Sequence, residues 1–425
     1  MKTTRPIIIK LDKLVYGGEA MGHLEDGRAV FVPYTLPGEV VRIQLVQERG
    51  GYARAELLEV IQAEAERTAP KCKHFFSLTP YSSPVGRGEG VRVCGGCQYQ
   101  HMPYSGQLKA KTEILSDQLT RIGHIQHPPV QSIIASPEPW NYRNQVQFHL
   151  DEDGRLGFQA AKSNRVIPIS ECHLPEAPIN SLWPQIEVEA IPDLERLSLR
   201  LGANDDLMLI LESRSMEPPE MEIEAGISVV HLWPGGMTVL AGSDHLLMEV
   251  CRRTFQVSAG SFFQVNTRMA EALVTHLLEI LPLPGETILE VYCGAGLFSA
   301  FLAPQCKRLI GIEASQAACE DFVINLDEFD HVELYEAAAE EALPVLEVCP
   351  DIIVVDPTRA GLDRRVLDAI LAMRAPTLVY ISCDPSTLGR DAARLTAGGY
   401  VLKQVTPFDL FPQTYHIESV SLFIK

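Results

Sequence analysis

The last third of the chain alternates short apolar runs with helical patterns, and this alternation limits the possible fold more than any other feature of the sequence. Apolar, β-branched runs are typical of buried strands, and the amphipathic runs between them are typical of crossover helices. The predicted order is helix 267–281, strand 287–292, a glycine loop with a helix to 302, strand 309–312, helix 316–326, strand 352–355, helix 364–373, strand 378–382, a helix to 395 and strand 418–423. This order predicts a parallel α/β sheet with helices on both faces.

Polar or flexible residues follow four of these predicted strands. Gly294 and Gly296 form a Gly-x-Gly turn, Glu313 ends the next strand, and Asp356 and Cys383 end two later ones. Since parallel strands end at the same edge of a sheet, we expect these residues to share one crevice. An acid at position 313 can accept both ribose hydroxyls of a nucleoside. The third glycine of the dinucleotide fingerprint is absent, which favours S-adenosylmethionine over NAD and disfavours an NAD-linked oxidoreductase.

Cys383 has two possible interpretations from its local sequence. An isolated cysteine at the end of an apolar strand is ordinarily a small buried residue. Here a helical pattern follows at once, and Ser386 or Thr387 can cap that helix. A helix start near a thiol favours the thiolate, which attacks electrophiles. The nucleoside-type loop and the acids on the same sheet edge favour the nucleophile.

Residues 1–62 consist of short predicted strands between glycine turns, which is typical of a small OB-like β-barrel. The segment has eight basic and eight acidic residues, so it is less acidic than the whole chain of 425 residues, whose formal charge is −19. That charge argues against nonspecific coating of nucleic acid but leaves a local basic groove possible. On composition alone, a barrel that only packs on its neighbour is an equal alternative.

Four cysteines stand apart from the ten in the chain by their spacing. Cys94 and Cys97 flank a Gly-Gly pair that lets the backbone fold tightly around an ion or cluster, while Cys72 precedes them and Cys172 follows. Three or four thiolates fit either zinc or an iron–sulfur cluster, and the spacing does not separate the two. A redox dithiol is weaker because no thioredoxin-like pattern surrounds the pair.

Several ordered motifs together carry a family resemblance. They are FVPYTLPGEVVR (31–42), CGGCQYQH (94–101), QVN (264–266), YCGAG (292–296), DPTRAGL (356–362), SCDPSTLGRD (382–391) and FPQTYHIESV (411–420). The last third resembles the RNA (uracil-5-)-methyltransferase family, and the barrel resembles a TRAM domain, an RNA-binding module. With the cysteine segment, the resemblance covers essentially the whole chain and is to the TRAM-containing 23S ribosomal RNA branch.

The resemblance implies an organisation and a cofactor set. It implies a TRAM-like barrel over 1–62, a central mostly β domain with the cysteine cluster and an RNA-binding surface over 63–259, and a Rossmann-like S-adenosylmethionine-dependent methyltransferase domain over 260–425. Its cofactor residues would be Gln264, Tyr292, Gly294, Gly296, Glu313 and Asp356. A 4Fe–4S cluster, with zinc as the alternative, would be held by Cys72, Cys94, Cys97 and Cys172.

The resemblance also implies a mechanism. Cys383 would add to C6 of uracil so that C5 can attack the methyl group, and Glu418 would remove the C5 proton. Phe262 would stack on a flipped-out uracil, and Asp356 would orient it. The RNA would be ribosomal, with a transfer RNA (uracil-5-)-methyltransferase as the alternative. An RNA-binding or assembly factor without turnover is the alternative, which the intact Cys383 and Glu418 disfavour.

The N-terminal apolar run, 7–9, is far too short for a signal peptide or a membrane span. We therefore expect a cytoplasmic protein, and we expect a monomer.

Overall fold

The computed structural model describes residues 5–76, 93–161, 163–187, 193–219 and 226–425. Along the chain it contains a closed barrel, a central sheet and a C-terminal α/β sheet. Among the described residues, no helix has the length and apolar character that crossing a membrane requires.

The N-terminal barrel consists of five strands in the spatial order β1-β2-β3-β5-β4. The strands are β1 (Ile7–Val15), β2 (Glu19–His23), β3 (Ala29–Pro33), β4 (Val40–Glu48) and β5 (Tyr52–Gln62). Alternate side chains point inward, as the two-residue period of a strand requires, so that Leu11, Val30 and Val32 are buried in the barrel core. The predicted OB-like barrel is confirmed.

The central part combines one long helix with a seven-stranded sheet and a hairpin. Its elements are α1 (Tyr104–Arg121), β6 (Gln145–Leu150), β7 (Leu156–Gln159), β8 (Val166–Pro168), α2 (Ala177–Leu182), β9 (Leu194–Leu201), β10 (Leu207–Ser213), β11 (Ser228–Trp233), β12 (Gly236–Ala241), β13 (His245–Val250) and β14 (Arg253–Ser258). The sheet has the order β12-β11-β10-β9-β6-β7-β8, and β13 pairs with β14. Ile114, Leu115 and Leu119 of α1 are buried in the core of the C-terminal sheet, so this helix joins the two parts.

The C-terminal part is a seven-stranded sheet of order β17-β16-β15-β18-β19-β21-β20 with helices on both faces. Its elements are α3 (Thr267–Ile280), β15 (Gly285–Val291), α4 (Ser299–Leu302), β16 (Cys306–Glu313), α5 (Gln316–Asn325), β17 (Val332–Glu336), α6 (Ala339–Ala342), β18 (Ile352–Val355), α7 (Arg364–Met373), β19 (Thr377–Ser382), α8 (Pro385–Ala397), β20 (Val401–Phe408) and β21 (Glu418–Ile424). Two hydrophobic cores lie against this sheet.

The sheet differs from the fully parallel prediction at one edge. The five strands β17, β16, β15, β18 and β19 run parallel to one another. Strand β21 runs antiparallel to both of its neighbours, β19 and β20. The sequence pattern missed β20 because Pro407 argues against a strand, and proline is tolerated here since β20 lies at the edge of the sheet.

The antiparallel strand decides which residues meet at the site. Because β21 runs opposite to β19, it begins at the edge of the sheet where β19 ends, and Ser382 pairs with Ser419. Cys383 and Glu418 are the next residues outward on the two strands, so the register brings a thiol and a carboxyl group to the same edge.

Candidate active site

A cavity of about 540 Å³ lies at the edge of the sheet where β15, β16, β18 and β19 end and β21 begins. Eight of the nine residues that the sequence assigned to catalysis, substrate and methyl donor line it, namely Phe262, Gln264, Tyr292, Gly294, Glu313, Asp356, Cys383 and Glu418. The expectation that the strand ends share one crevice therefore agrees with the structure.

The glycine turn after β15 has two different functions in the structure. Gly294 lines the cavity, and its N–H donates to Oε2 of Glu313 at 3.0 Å. Gly296, the ninth predicted residue, lies behind the lining with φ +86°, where a Cβ would come within 2.4 Å of Cδ1 of Leu326. Gly296 thus allows close packing of the turn on α5 rather than approach of a ligand.

Glu313 is fixed at the end of β16 by backbone donors. Besides the bond from Gly294, its Oε1 accepts from the N–H groups of Ala314 and Ser315, each at 2.8 Å. The carboxylate is therefore held at the cavity wall before any ligand arrives, as an acceptor for hydroxyl groups requires.

The loop after β19 places Cys383 half-buried at the cavity wall. The predicted cap was wrong: Asp384, not Ser386 or Thr387, is the N-cap of α8, and its Oδ1 accepts from the N–H groups of those two residues at 2.8 and 3.1 Å. The physical reason is Pro385, which forces the preceding residue into an extended conformation and itself begins the helix.

The predicted preference of Cys383 for the thiolate is also wrong for the free protein. Burial, followed by the charges of Glu418 and Asp356, raises the pKa of the Cys383 thiol to about 12, although the guanidinium of Arg359 opposes this rise. The helix start contributes less than these effects, so Cys383 is a neutral thiol at pH 7 and must lose its proton as it attacks.

The carboxyl groups of the site share this electrostatic environment. Burial raises the pKa of Asp356 to about 7. Burial, together with the charge of Asp356, raises the pKa of Glu418 well above its ordinary value, and Arg359 lowers it in part. Clusters of buried groups with shifted pKa values are characteristic of catalytic sites.

Arg359 and His416 also line the cavity, although the sequence analysis gave them no role. Arg359 is the one Lys or Arg among the described residues that line it, and Nη2 of Arg359 lies 3.5 Å from Nε2 of His416. Burial and the positive charge of Arg359 lower the pKa of His416 to about 3, so the ring is neutral. Arg359 lies in the motif DPTRAGL, and His416 lies in the motif FPQTYHIESV. The signal in the sequence for Arg359 was a cation next to the acids of the predicted site.

The four cysteines singled out by their spacing line a second cavity, of about 340 Å³. Burial raises the pKa of Cys94 to about 12 and that of Cys172 to about 11, and it also raises the pKa values of Cys72 and Cys97. Within the described parts of the chain, no three His, Cys, Asp or Glu side chains are arranged as ligands of a single metal ion. The donor set is thus four thiols around a shared space, with Cys97 buried and the other three half-buried.

Comparisons with known proteins place these features in a family. The family model described as tRNA (uracil-5-)-methyltransferase matches residues 243–425, and the TRAM domain model matches residues 3–58. An uncharacterized RNA methyltransferase of Aquifex aeolicus is 34% identical over 438 residues that cover 98% of each chain. Another, of Thermosynechococcus vestitus, is 33% identical over 453 residues that cover 98% of this chain and 97% of its own.

The chain belongs to the tRNA (uracil-5-)-methyltransferase family. It is therefore an RNA methyltransferase that acts on uracil, and the expected enzyme class is confirmed. The crystal structure of the Pyrococcus abyssi tRNA (uracil-54, C5)-methyltransferase, in complex with S-adenosyl-L-homocysteine, superposes over 98% of this chain and 100% of that one. The TM-score is 0.72 at 21% sequence identity, a likeness of fold.

Proposed function

We propose that this RNA methyltransferase transfers the methyl group of S-adenosylmethionine to C5 of a specific uridine in 23S ribosomal RNA, through a covalent adduct of Cys383 with C6. The observation that carries the proposal is the register of β19 and β21, which brings Cys383 and Glu418 into one cavity with Glu313. A nucleophile and a proton acceptor are the two groups that methylation at C5 needs.

The methyl donor is assigned from the glycine turn and Glu313. The incomplete glycine fingerprint suits a nucleoside without a pyrophosphate, and Glu313 would accept the ribose hydroxyls. The Pyrococcus protein, of the same fold, is described in complex with S-adenosyl-L-homocysteine, the demethylated donor. Gln264, Tyr292 and Gly294 would contact the donor from the same wall, and Gly296 would support the turn.

The first chemical step is addition of Cys383 to the uracil ring. The half-buried thiol would give its proton to solvent as the sulfur bonds to C6, and the electrons of the C5–C6 double bond would form an enolate. C5 then attacks the sulfonium methyl group, and the sulfonium leaves as a neutral thioether. Arg359 would favour the addition of the sulfur to C6, because its positive charge stabilises the thiolate. Its lowering effect on the pKa of Cys383 supports this role.

Asp356 would orient the base by hydrogen bonds. With a pKa near 7, its carboxyl group is protonated in a large fraction of molecules at neutral pH. A protonated carboxyl group can donate to O4 of uracil and accept from N3–H, and this pair of hydrogen bonds would fix the orientation of the base. Phe262, which is 71% exposed at the cavity, would stack on the flipped-out base.

The last step restores the aromatic base. Glu418 would take the proton from C5, the C5–C6 double bond would form again, and the sulfur of Cys383 would leave. Since only an ionised carboxylate accepts a proton and the pKa of Glu418 is raised, this step should accelerate as the pH increases.

For the second cavity we propose a 4Fe–4S cluster held by Cys72, Cys94, Cys97 and Cys172. Four thiols that line one space are a donor set that a cluster of several irons could take, with zinc as the alternative. A bound cluster would hold the four thiols as thiolates and tie their segments together. Anaerobic purification should give brown protein that contains iron and sulfide, and colourless protein with stoichiometric zinc would favour the alternative.

The experiment that tests the RNA assignment maps 5-methyluridine in a strain that lacks the gene. Loss of one modified position in 23S ribosomal RNA, restored by the purified enzyme on unmodified transcript, would support the proposal. Loss of a position in transfer RNA alone would contradict the ribosomal assignment and favour the activity named for the Pyrococcus protein.

A further inference from the structure

Tyr16 links the N-terminal barrel to the C-terminal domain. It follows the last residue of β1, and its side chain packs against the hydrophobic core that includes β19 and α8. The turn after it is held closely, because Gly18 has φ +82° and a Cβ there would lie 2.9 Å from Cβ of Gln98. Lys13 of β1 also forms an ion pair with Asp117 of α1 at 2.9 Å. The end of β1 is thus fixed against the rest of the molecule.

The hydroxyl group of Tyr16 reaches the loop that carries Cys383. It donates to Oδ2 of Asp384 at 3.0 Å, while Oδ1 of Asp384 caps α8. On the other side of Cys383, the hydroxyl of Ser382 donates to the carbonyl oxygen of Asp384 at 3.0 Å. Both neighbours of the thiol are therefore held by hydrogen bonds, and one of these bonds comes from the barrel.

The ring of Tyr16 reaches the segment that carries Glu418. It packs edge to face on Tyr415, with ring centroids 5.5 Å apart, and Tyr415 lies against His416 at 4.3 Å. His416 and Glu418 both line the catalytic cavity. One barrel side chain thus contacts the two segments that supply the thiol and the proton acceptor.

The hydroxyl group of Tyr16 affects the pKa of Cys383 through the charge of Asp384. The negative charge of Asp384 raises the pKa of Cys383, and a donated hydrogen bond offsets part of that charge. Burial and the neighbouring Asp384 raise the pKa of Tyr16, so the phenol remains a donor throughout the working range of pH.

We propose that Tyr16 is a positioning residue for methyl transfer: its hydroxyl group fixes Asp384 and through it Cys383, and its ring supports the segment that carries Glu418. The inference rests on the proposed role of Cys383 as the nucleophile. The barrel accordingly completes the catalytic site, in addition to any contact it makes with RNA.

The test is Tyr16→Phe, which keeps the ring and removes the hydroxyl group. We expect kcat to fall about 5- to 10-fold, the effect of one lost hydrogen bond, with KM for RNA and the Kd of S-adenosylmethionine within about twofold of wild type. The matched control is Tyr52→Phe, because Tyr52 is an exposed barrel tyrosine that contacts Phe31 and not Asp384. The control should retain wild-type kcat.

A second measurement needs no RNA. Alkylation of Cys383 by iodoacetamide, followed over pH by mass spectrometry of its peptide, should move to higher pH in Tyr16→Phe and not in Tyr52→Phe. The double variant with Asp384→Asn should lose less activity than the product of the two single losses, because both changes remove the same bond. An unchanged alkylation profile, a rise in KM for RNA with unchanged kcat, or multiplicative losses would each overturn the proposal. A wild-type enzyme without methyl transfer would refute the proposed function, while the alkylation profile would still decide the role of Tyr16.

Discussion

The two cysteine-lined cavities differ in what surrounds their thiols. In both, burial raises the pKa of the cysteines. Around Cys383 the cavity also holds two acids with raised pKa values and the cation Arg359. The other cavity places four thiols together. A thiol next to ionisable groups suits proton transfer, whereas four thiols around one space suit a metal centre.

The cavities are nevertheless joined by one segment. His416 lines both of them, and Thr414 and Tyr415 line the cysteine cavity. Gln413 accepts at its carbonyl oxygen from the N–H groups of Gln98 and Tyr99, which directly follow Cys97, at 2.9 and 3.0 Å. One segment of the chain therefore contributes to both cavities. Single substitutions should nevertheless affect either methyl transfer or metal binding, and not both.

The largest expected effect is that of Cys383→Ala. Removal of the nucleophile should lower methyl transfer by at least ~10³-fold, while calorimetric binding of S-adenosylmethionine stays within about twofold and the content of iron is unchanged. Cys349→Ala, at an exposed cysteine, is the matched control and should keep full activity. Normal turnover by Cys383→Ala would remove the covalent mechanism.

Glu418→Gln should separate methyl transfer from release. Without the proton acceptor, turnover should fall about 10²- to 10⁴-fold, and methylated RNA should remain attached to the protein as a slow band on a denaturing gel. Glu113→Gln, at an exposed carboxylate of α1, serves as the control. Lost turnover with no attached RNA would show that Glu418 acts before the adduct forms.

Cys97→Ser should give the opposite pattern from Cys383→Ala. Loss of one of the four proposed ligands should abolish binding of the proposed cluster and lower the thermal unfolding midpoint by about 5 °C or more, measured by iron analysis and calorimetry. Bound iron at the wild-type level in Cys97→Ser would exclude Cys97 as a ligand.

The smallest expected effect concerns the buried acid behind the catalytic cavity. Burial raises the pKa of Glu290 to about 8, and its Oε1 has no hydrogen-bond partner among the residues that the structure describes. Because the folded state holds this proton more tightly than the unfolded state, the stability that it contributes is complete below about pH 4 and is lost as pH rises through about 8. Glu290→Gln should therefore unfold at a higher temperature than wild type at pH 9, with a smaller difference at pH 5. A difference independent of pH would contradict this assignment.

The strand ends were the part of the site that the sequence could predict. Gly294, Glu313, Asp356 and Cys383 follow recognisable apolar runs, and the rule that parallel strands end together was sufficient to group them. Glu418 entered only through the family resemblance, because its place depends on the antiparallel register of β21, a contact between strands that no local pattern encodes.

Electrostatics and domain contacts lay beyond the local sequence. The cap at Asp384 could have been found from Pro385, but the neutral state of the Cys383 thiol results from burial by distant segments. Likewise, Tyr16 and Asp384 are 368 residues apart in the chain, and only the docking of the barrel brings them together. Local motifs thus identify the groups, and tertiary packing sets their protonation and orientation.

A covalent adduct at Cys383 can be trapped with RNA that carries 5-fluorouridine. Fluorine at C5 cannot leave as a proton does, so wild-type enzyme with this RNA and S-adenosylmethionine should stop after methyl transfer. We expect a complex stable on a denaturing gel, with the mass of the methylated nucleotide on the peptide that contains Cys383. No stable complex, or attachment at a different cysteine, would contradict it.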